Sequence, residues 1–232
     1  MIDVLKKSLF AKNDQAAEEN RHLLDHHGVV AVNIMGGAGC GKTTLLECLI
    51  PQLQQTLSVG VLEGDLATTK DADRVAALHV PVVQLLTEGG CHLTASLVHQ
   101  GLRRLPLAEL DLVLIENVGN PICPANFDLG EHFRMAVLSV AEGDDKPAKY
   151  PLLFKVADVV VITKTDLAGA SDFDPARAAG AIRALDGHKG IFLTSRQDRS
   201  SMRLLLDWLE SRAAPFSVSH CGIRHTSVAR LE

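Results

Sequence analysis

The stretch "IMGGAGCGKTTLLE", Ile34 to Glu47, carries glycines and a Lys-Thr pair at the spacing G-x-x-x-x-G-K-[ST], with Gly36, Gly41, Lys42 and Thr43 at the defining positions. Glycines let the backbone curl so that successive N–H groups point at phosphate oxygens. A lysine at this position reaches β and γ phosphates, and the threonine hydroxyl is a Mg²⁺ ligand. The candidate nucleotide-binding residues are therefore Gly36, Gly37, Ala38, Gly39, Cys40, Gly41, Lys42, Thr43 and Thr44. Lys42 is expected to face solvent without a ligand. The helix starting here adds its positive N-terminal end, and Pro51 is expected to stop it.

Three further loops hold residues of the right chemistry. Glu116 ends the apolar run that follows Asp111, where a carboxylate holds Mg²⁺ directly or through water. Gly119, three residues on, is placed to offer its N–H to a γ-phosphate. Lys164 and Asp166 form a guanine-reading pair: the carboxylate accepts from the guanine N1–H and exocyclic amine, a donor pair that adenine lacks. The lysine stem covers the base. The usual form of this motif is Asn-Lys-x-Asp. Thr163 in place of the asparagine keeps one hydroxyl hydrogen bond and loses the amide's two-ended bridge. GTP is the expected nucleotide. Asp65 follows the second apolar run and Asp71 starts the next helix. Lys42, Asp65 and Glu116 are the catalytic candidates, the two acids as positioners of water, and turnover is expected to be slow.

Cys91-His92 lies at the expected start of a helix, and Cys123 lies just beyond Glu116. A helix N-terminus lowers a thiol's pKa, and thiolate plus imidazole suits Zn²⁺ or Ni²⁺. Three donors do not close a four-coordinate structural site, so water completes it or two chains share it. On spacing alone, packing cysteines with a capping histidine is an equal alternative.

These loops need strands and helices to hold them together. Apolar runs at 29–35, 58–62, 80–86, 111–118, 135–140, 158–163 and 190–194 alternate with helical patterns at 42–54, 71–78, 92–104, 175–185 and 201–212. Several runs are apolar throughout, as in strands covered on both faces. The expectation is an α/β fold with a mostly parallel, doubly wound sheet flanked by helices. Ligands then gather at the C-terminal strand ends. Residues 1–28 read as an N-terminal helix, 29–212 as the nucleotide-binding domain and 213–232 as a tail expected to be mobile.

Bulk properties narrow the class. The chain has 232 residues and a net charge of −5, with acids and bases intermixed, which argues against nucleic-acid binding. No apolar run is long enough for a membrane span and the N-terminus lacks a signal-peptide core, so a cytoplasmic protein is expected. Five cysteines in that setting suggest metal or packing roles before disulfides.

The stretches "GGAGCGKTTLLE", "EGD", "CHL", "IENVGNPICPANFDLGE", "EGDDKPAKYP" and "TKTDL" resemble the HypB family, GTPases that help deliver nickel to [NiFe]-hydrogenase; the resemblance covers about residues 1–212. It implies a P-loop NTPase of the SIMIBI-type G-domain architecture and a nucleotide-dependent homodimer. It also implies a Ni²⁺ or Zn²⁺ site at the dimer interface made by Cys91, His92 and Cys123. Thr43, Asp71 and Glu116 are the implied Mg²⁺ residues, with Asp65 near by. The implied partners are other hydrogenase maturation factors and the hydrogenase large subunit.

The chain departs from the family in two ways. It has no Cys-x-x-Cys-Gly-Cys site at its start, offering only His22, His26 and His27, and Cys40 stands where serine is common. His22 and His26 share a helix face, and His220, Cys221 and His225 fall in the tail. Each group is a weaker metal candidate. The rival readings are a UreG-like nickel GTPase, although UreG proteins usually carry Cys-Pro-His at the position of Cys91-His92, and a small-molecule kinase on the same loop.

Overall fold

Seven apolar runs become seven strands in one sheet of order β3-β2-β4-β1-β5-β6-β7, and every neighbouring pair is parallel. The computed structural model describes residues 2–65, 70–87 and 89–217. The strands are β1 (Val30–Gly36), β2 (Val59–Asp65), β3 (Val82–Leu86), β4 (Leu112–Glu116), β5 (Phe133–Ser139), β6 (Val159–Thr163) and β7 (Gly190–Leu193). The helices are α1 (Ile2–His27), α2 (Lys42–Leu53), α3 (Lys70–Ala76), α4 (Ala95–Leu102), α5 (Lys146–Lys149), α6 (Pro151–Val156), α7 (Pro175–Leu185) and α8 (Arg203–Ser217).

The central strands are buried along their whole length because helices cover both faces. On one face, Val30, Val32, Leu112 and Leu114 pack with Leu46, Leu49 and Ile50 of α2 and with Leu205 and Leu209 of α8. On the other, Val29, Ala31 and Val113 meet Leu24 of α1 and Val98 and Leu102 of α4. Beside them, Ala136, Leu138 and Val160 meet Leu153 and Phe154 of α6 and Ile182 of α7. Each such fully buried Val, Leu or Phe contributes roughly 1.5–3 kcal/mol relative to exposure.

Helix α1 is joined to α4 by two buried asparagines. The Asn13 carbonyl accepts from Ala95 N–H at 2.9 Å, which caps the start of α4. The Asn20 amide donates to the carbonyls of Ala95 and Leu129, at 2.8 Å each.

The elements depart from the sequence reading in several places. Pro51 does not stop α2. It sits in the last turn, where its missing N–H removes a single bond, and the helix runs on to Leu53. The helix read at 92–104 starts only at Ala95, because Thr94 is its N-cap and accepts from Leu97 N–H. Helices α5 and α6 are additional; Pro147 and Pro151 split the helical pattern there and hid it. Helix α8 continues past residue 212, through Pro215, to Ser217. His220, Cys221 and His225 lie outside the described residues. Among those described, no helix is long and apolar enough to cross a membrane.

Candidate nucleotide and metal site

The phosphate loop closes between β1 and α2 because its glycines take conformations closed to other residues. Gly39 and Gly41 have φ of +73° and +96°. A Cβ on Gly36 would lie 2.5 Å from the Val137 carbonyl oxygen. Cys40 turns its thiol into the core, where it is fully buried and pushed up to about 11 by desolvation. Its side chain is therefore directed away from the concave side of the loop, and cysteine serves there without cost to the backbone cradle.

Lys42 is not solvent-facing as expected. It is buried, and its ammonium donates to the carbonyls of Gly36 and Gly37 at 3.4 Å each. The loop wraps its own cation with carbonyl lone pairs that remain open, the Gly37 oxygen also accepting from Cys40 N–H at 3.3 Å. Thr43 donates its hydroxyl to Glu116 Oε1 at 2.8 Å. Glu116, Asp65 and Asp71 line the same cavity of about 330 Å³ as Lys42, Thr43 and Gly119. Asp71 is held by Arg74 at 2.7 Å, and Arg74 also bonds Glu47.

One residue of this cavity was passed over in the sequence. Glu63 stands directly across from Glu116 in the β2–β4 register. Burial pushes the Glu63 carboxyl up to about 10, helped by the neighbouring Glu116 charge, and burial also raises Glu116. The two carboxyl groups bond each other, and Oε2 of each has no further hydrogen-bond partner among the described residues. Two buried carboxyl groups that face each other beside a threonine hydroxyl form a hard-oxygen donor set, which fits Mg²⁺. Once bound, Mg²⁺ would neutralise charge on the phosphate oxygens.

A second cavity, about 250 Å³, adjoins the first and is lined by Thr163, Lys164, Asp166, Thr194, Arg196 and Gln197. Asp166 is fixed by the Ser195 hydroxyl, which donates to Oδ1 at 2.6 Å. Lys164 adopts a left-handed conformation and donates to the Gly39 carbonyl at 2.8 Å. Thr163 donates to the Cys40 carbonyl at 2.6 Å, so its hydroxyl and the Lys164 ammonium both join the loop after β6 to the phosphate loop. Ser195, just past the end of β7, belongs to no local motif, and its bond to Asp166 exists only in the fold.

The sulfurs of Cys91 and Cys123 and a His92 ring nitrogen all lie within 4.8 Å of one another, the only such group of three metal-binding side chains among the described residues. Cys91 Sγ is 3.5 Å from His92 Nδ1. The expected helix start beneath Cys91 is absent, since α4 begins beyond Thr94. Burial lowers the His92 pKa, which favours the neutral ring with a free lone pair. The Cys91 thiol raises that of Cys123. The His92 ring stacks on Phe127 at 3.9 Å, and Phe127 stacks on Phe10 of α1 at 5.2 Å. No sequence signal pointed to Phe127. His22 is paired instead with Glu18 at 3.3 Å and is exposed.

Two links join the cavities to this trio. The Asn117 carbonyl oxygen, one residue past Glu116, accepts from Leu93 N–H at 3.2 Å, one residue past His92. Asn120 forms a bridge with Gly36, and its side chain accepts from the N–H groups of Ile122 and Cys123. Gly119 abuts the loop so closely that a Cβ there would lie 2.9 Å from Ala38 Cα.

The thiols offer a direct check. Burial holds the Cys40 thiol protonated at pH 8, and only thiolate is alkylated. Iodoacetamide followed by peptide mass mapping is expected to modify exposed Cys91 long before Cys40. Equal rates would contradict the buried orientation of Cys40.

The sheet order and the phosphate loop define a P-loop NTPase. The family model for the CobW/HypB/UreG nucleotide-binding domain matches residues 30–192. The hydrogenase maturation factor HypB of Escherichia coli K12 is 39% identical over 211 residues, 91% of this chain and 71% of the relative. The probable HypB of Methanocaldococcus jannaschii is 41% identical, over 90% of this chain and 95% of the relative. The crystal structure of HypB from Helicobacter pylori in complex with nickel superposes with a TM-score of 0.84 at 33% identity, covering 95% of this chain and all of that one. The chain belongs to the HypB branch of the CobW/HypB/UreG family.

Proposed function

We propose that the chain is a slow GTPase whose nucleotide state governs a Ni²⁺- or Zn²⁺-binding site shared by two copies, in the service of nickel insertion into a [NiFe]-hydrogenase. One observation carries the reading: the segment Glu116–Cys123 begins at the phosphate cavity and ends at a metal donor, and Asn117 ties its start to the loop of Cys91 and His92. The names and the nickel complex of the relatives support the cargo. By the same reasoning, other maturation factors and the hydrogenase large subunit are its partners and the cytoplasm its location.

In this reading Lys42 leaves its loop carbonyls for the β and γ phosphates, and Thr43, Asp71 and Glu116 hold Mg²⁺. Gly119 N–H meets the γ-phosphate. Asp65 or Glu116 orients the water that attacks γ-phosphorus, with GDP as the leaving group. Three donors per chain leave the metal site incomplete, and the exposed side chain of Ile122 beside Cys123 offers a second copy an apolar contact.

The base assignment is tested by competition binding with GTP and ATP. Asp166→Asn is expected to weaken GTP at least tenfold, about 1.4 kcal/mol, because the amide cannot accept both guanine donors. Wild-type protein that binds ATP as well as GTP would remove the guanine assignment.

A further inference from the structure

The magnesium residues of the proposed function are Thr43, Asp71 and Glu116, and the buried Glu63 beside them has no role there. It is 2% exposed, and its partner across the sheet, Glu116, is 4% exposed. Two carboxyl groups at adjacent positions of a parallel pair repel if both ionise. Lys42 lines the same cavity, with its ammonium donating to the Gly36 and Gly37 carbonyls. Glu116 Oε1 is occupied by the Thr43 hydroxyl, while Oε2 of both acids is buried and has no partner among the described residues outside the carboxyl pair itself. Both acids line the cavity that also holds Asp71. An unpaired buried carboxyl oxygen costs several kcal/mol unless something is bound against it.

Either a proton bridges the pair or a cation faces it. Without a cation, a proton shared between the two carboxyl groups partners the pair, and a divalent cation held by both would take that proton's place. We propose that Glu63 is a second carboxylate of the magnesium site, so that the ends of β2 and β4 both bear on the cation. The proposal rests on the GTP-binding reading and deepens it. Its consequence is that β2 itself senses the metal–nucleotide complex. Asp65 lies two residues beyond Glu63, at the end of the same strand.

The test reads nucleotide binding instead of turnover. Affinity for a fluorescent, non-hydrolysable GTP analogue is measured against buffered free Mg²⁺ for wild type, Glu63→Gln and Glu63→Asp. Glu63→Gln is expected to raise the Mg²⁺ concentration for half-maximal tightening by about tenfold or more, with affinity in EDTA unchanged. Glu63→Asp keeps the charge on a shorter stem and is expected to fall between the two, which separates loss of a ligand from loss of fold. Mg²⁺ dependence identical in all three proteins would overturn the proposal. So would an affinity loss in Glu63→Gln of the same size with and without Mg²⁺, since that marks a merely structural role. Failure of the underlying reading looks different: wild type would bind no guanine nucleotide at any Mg²⁺ concentration, and both would fall together.

Discussion

Lys42→Ala is expected to cut GTP turnover at least a hundredfold, since removing a positioned donor from developing charge typically costs about 10²–10³. The structure sharpens this expectation. Lys42 is buried against the loop carbonyls, so its removal also takes a donor from the Gly36 and Gly37 oxygens, although Gly37 keeps that of Cys40 N–H. That loss is local, because both carbonyls sit on a loop that phosphate or water can reach, and the core under α2 does not involve the lysine. The variant should therefore fold, with a melting temperature close to wild type. Circular dichroism and phosphate release measured on the same sample check it. Unchanged turnover in a folded Lys42→Ala protein would remove the phosphate-loop assignment.

The second large effect concerns the metal trio. Cys123→Ala is expected to weaken Ni²⁺ or Zn²⁺ binding about a hundredfold or more, because a thiolate donor is lost from a three-donor set. GTP affinity should stay within about threefold, since the sulfur lies outside both nucleotide cavities. Cys91→Ala and His92→Ala should match it if the three belong to one site. Asn117→Ala is the more revealing variant. It leaves every metal donor in place and removes the acceptor of Leu93 N–H, together with the side-chain bonds to Val118 N–H and Asn33. Coupling between two sites is reciprocal and usually worth 5–150-fold. In Asn117→Ala, the ratio of metal affinities with and without GTP should fall towards one. Calorimetry in both orders of addition measures it, and an undiminished ratio would show that the link through Leu93 is idle.

The sheet was legible in the sequence because strands covered on both faces are apolar throughout, as β1 and β6 are, and their loops carry the chemistry. The phosphate loop, Glu116 and the Lys164-Asp166 pair were legible because each is a local motif at a strand end. Glu63 sat in plain view within Glu-Gly-Asp, but its significance lies in facing Glu116, and that pairing exists only once β4 inserts beside β2. Phe127 and Asn117 were hidden for the same reason: a stack on His92 and a bond to Leu93 join residues far apart in the chain. Lys42 was misjudged because a lysine reads as a solvated group, whereas the loop supplies carbonyls that draw it inward.

The central claim, that the nucleotide closes a metal site between two chains, is tested most directly by sedimentation mass and bound-metal content measured together, with and without a non-hydrolysable GTP analogue and Mg²⁺. The account predicts the mass of two chains with the analogue, tighter Ni²⁺ or Zn²⁺ binding in that state, and loss of the metal but not of the analogue in Cys123→Ala. The mass of one chain in every state, or metal bound equally tightly with and without the analogue, would contradict it.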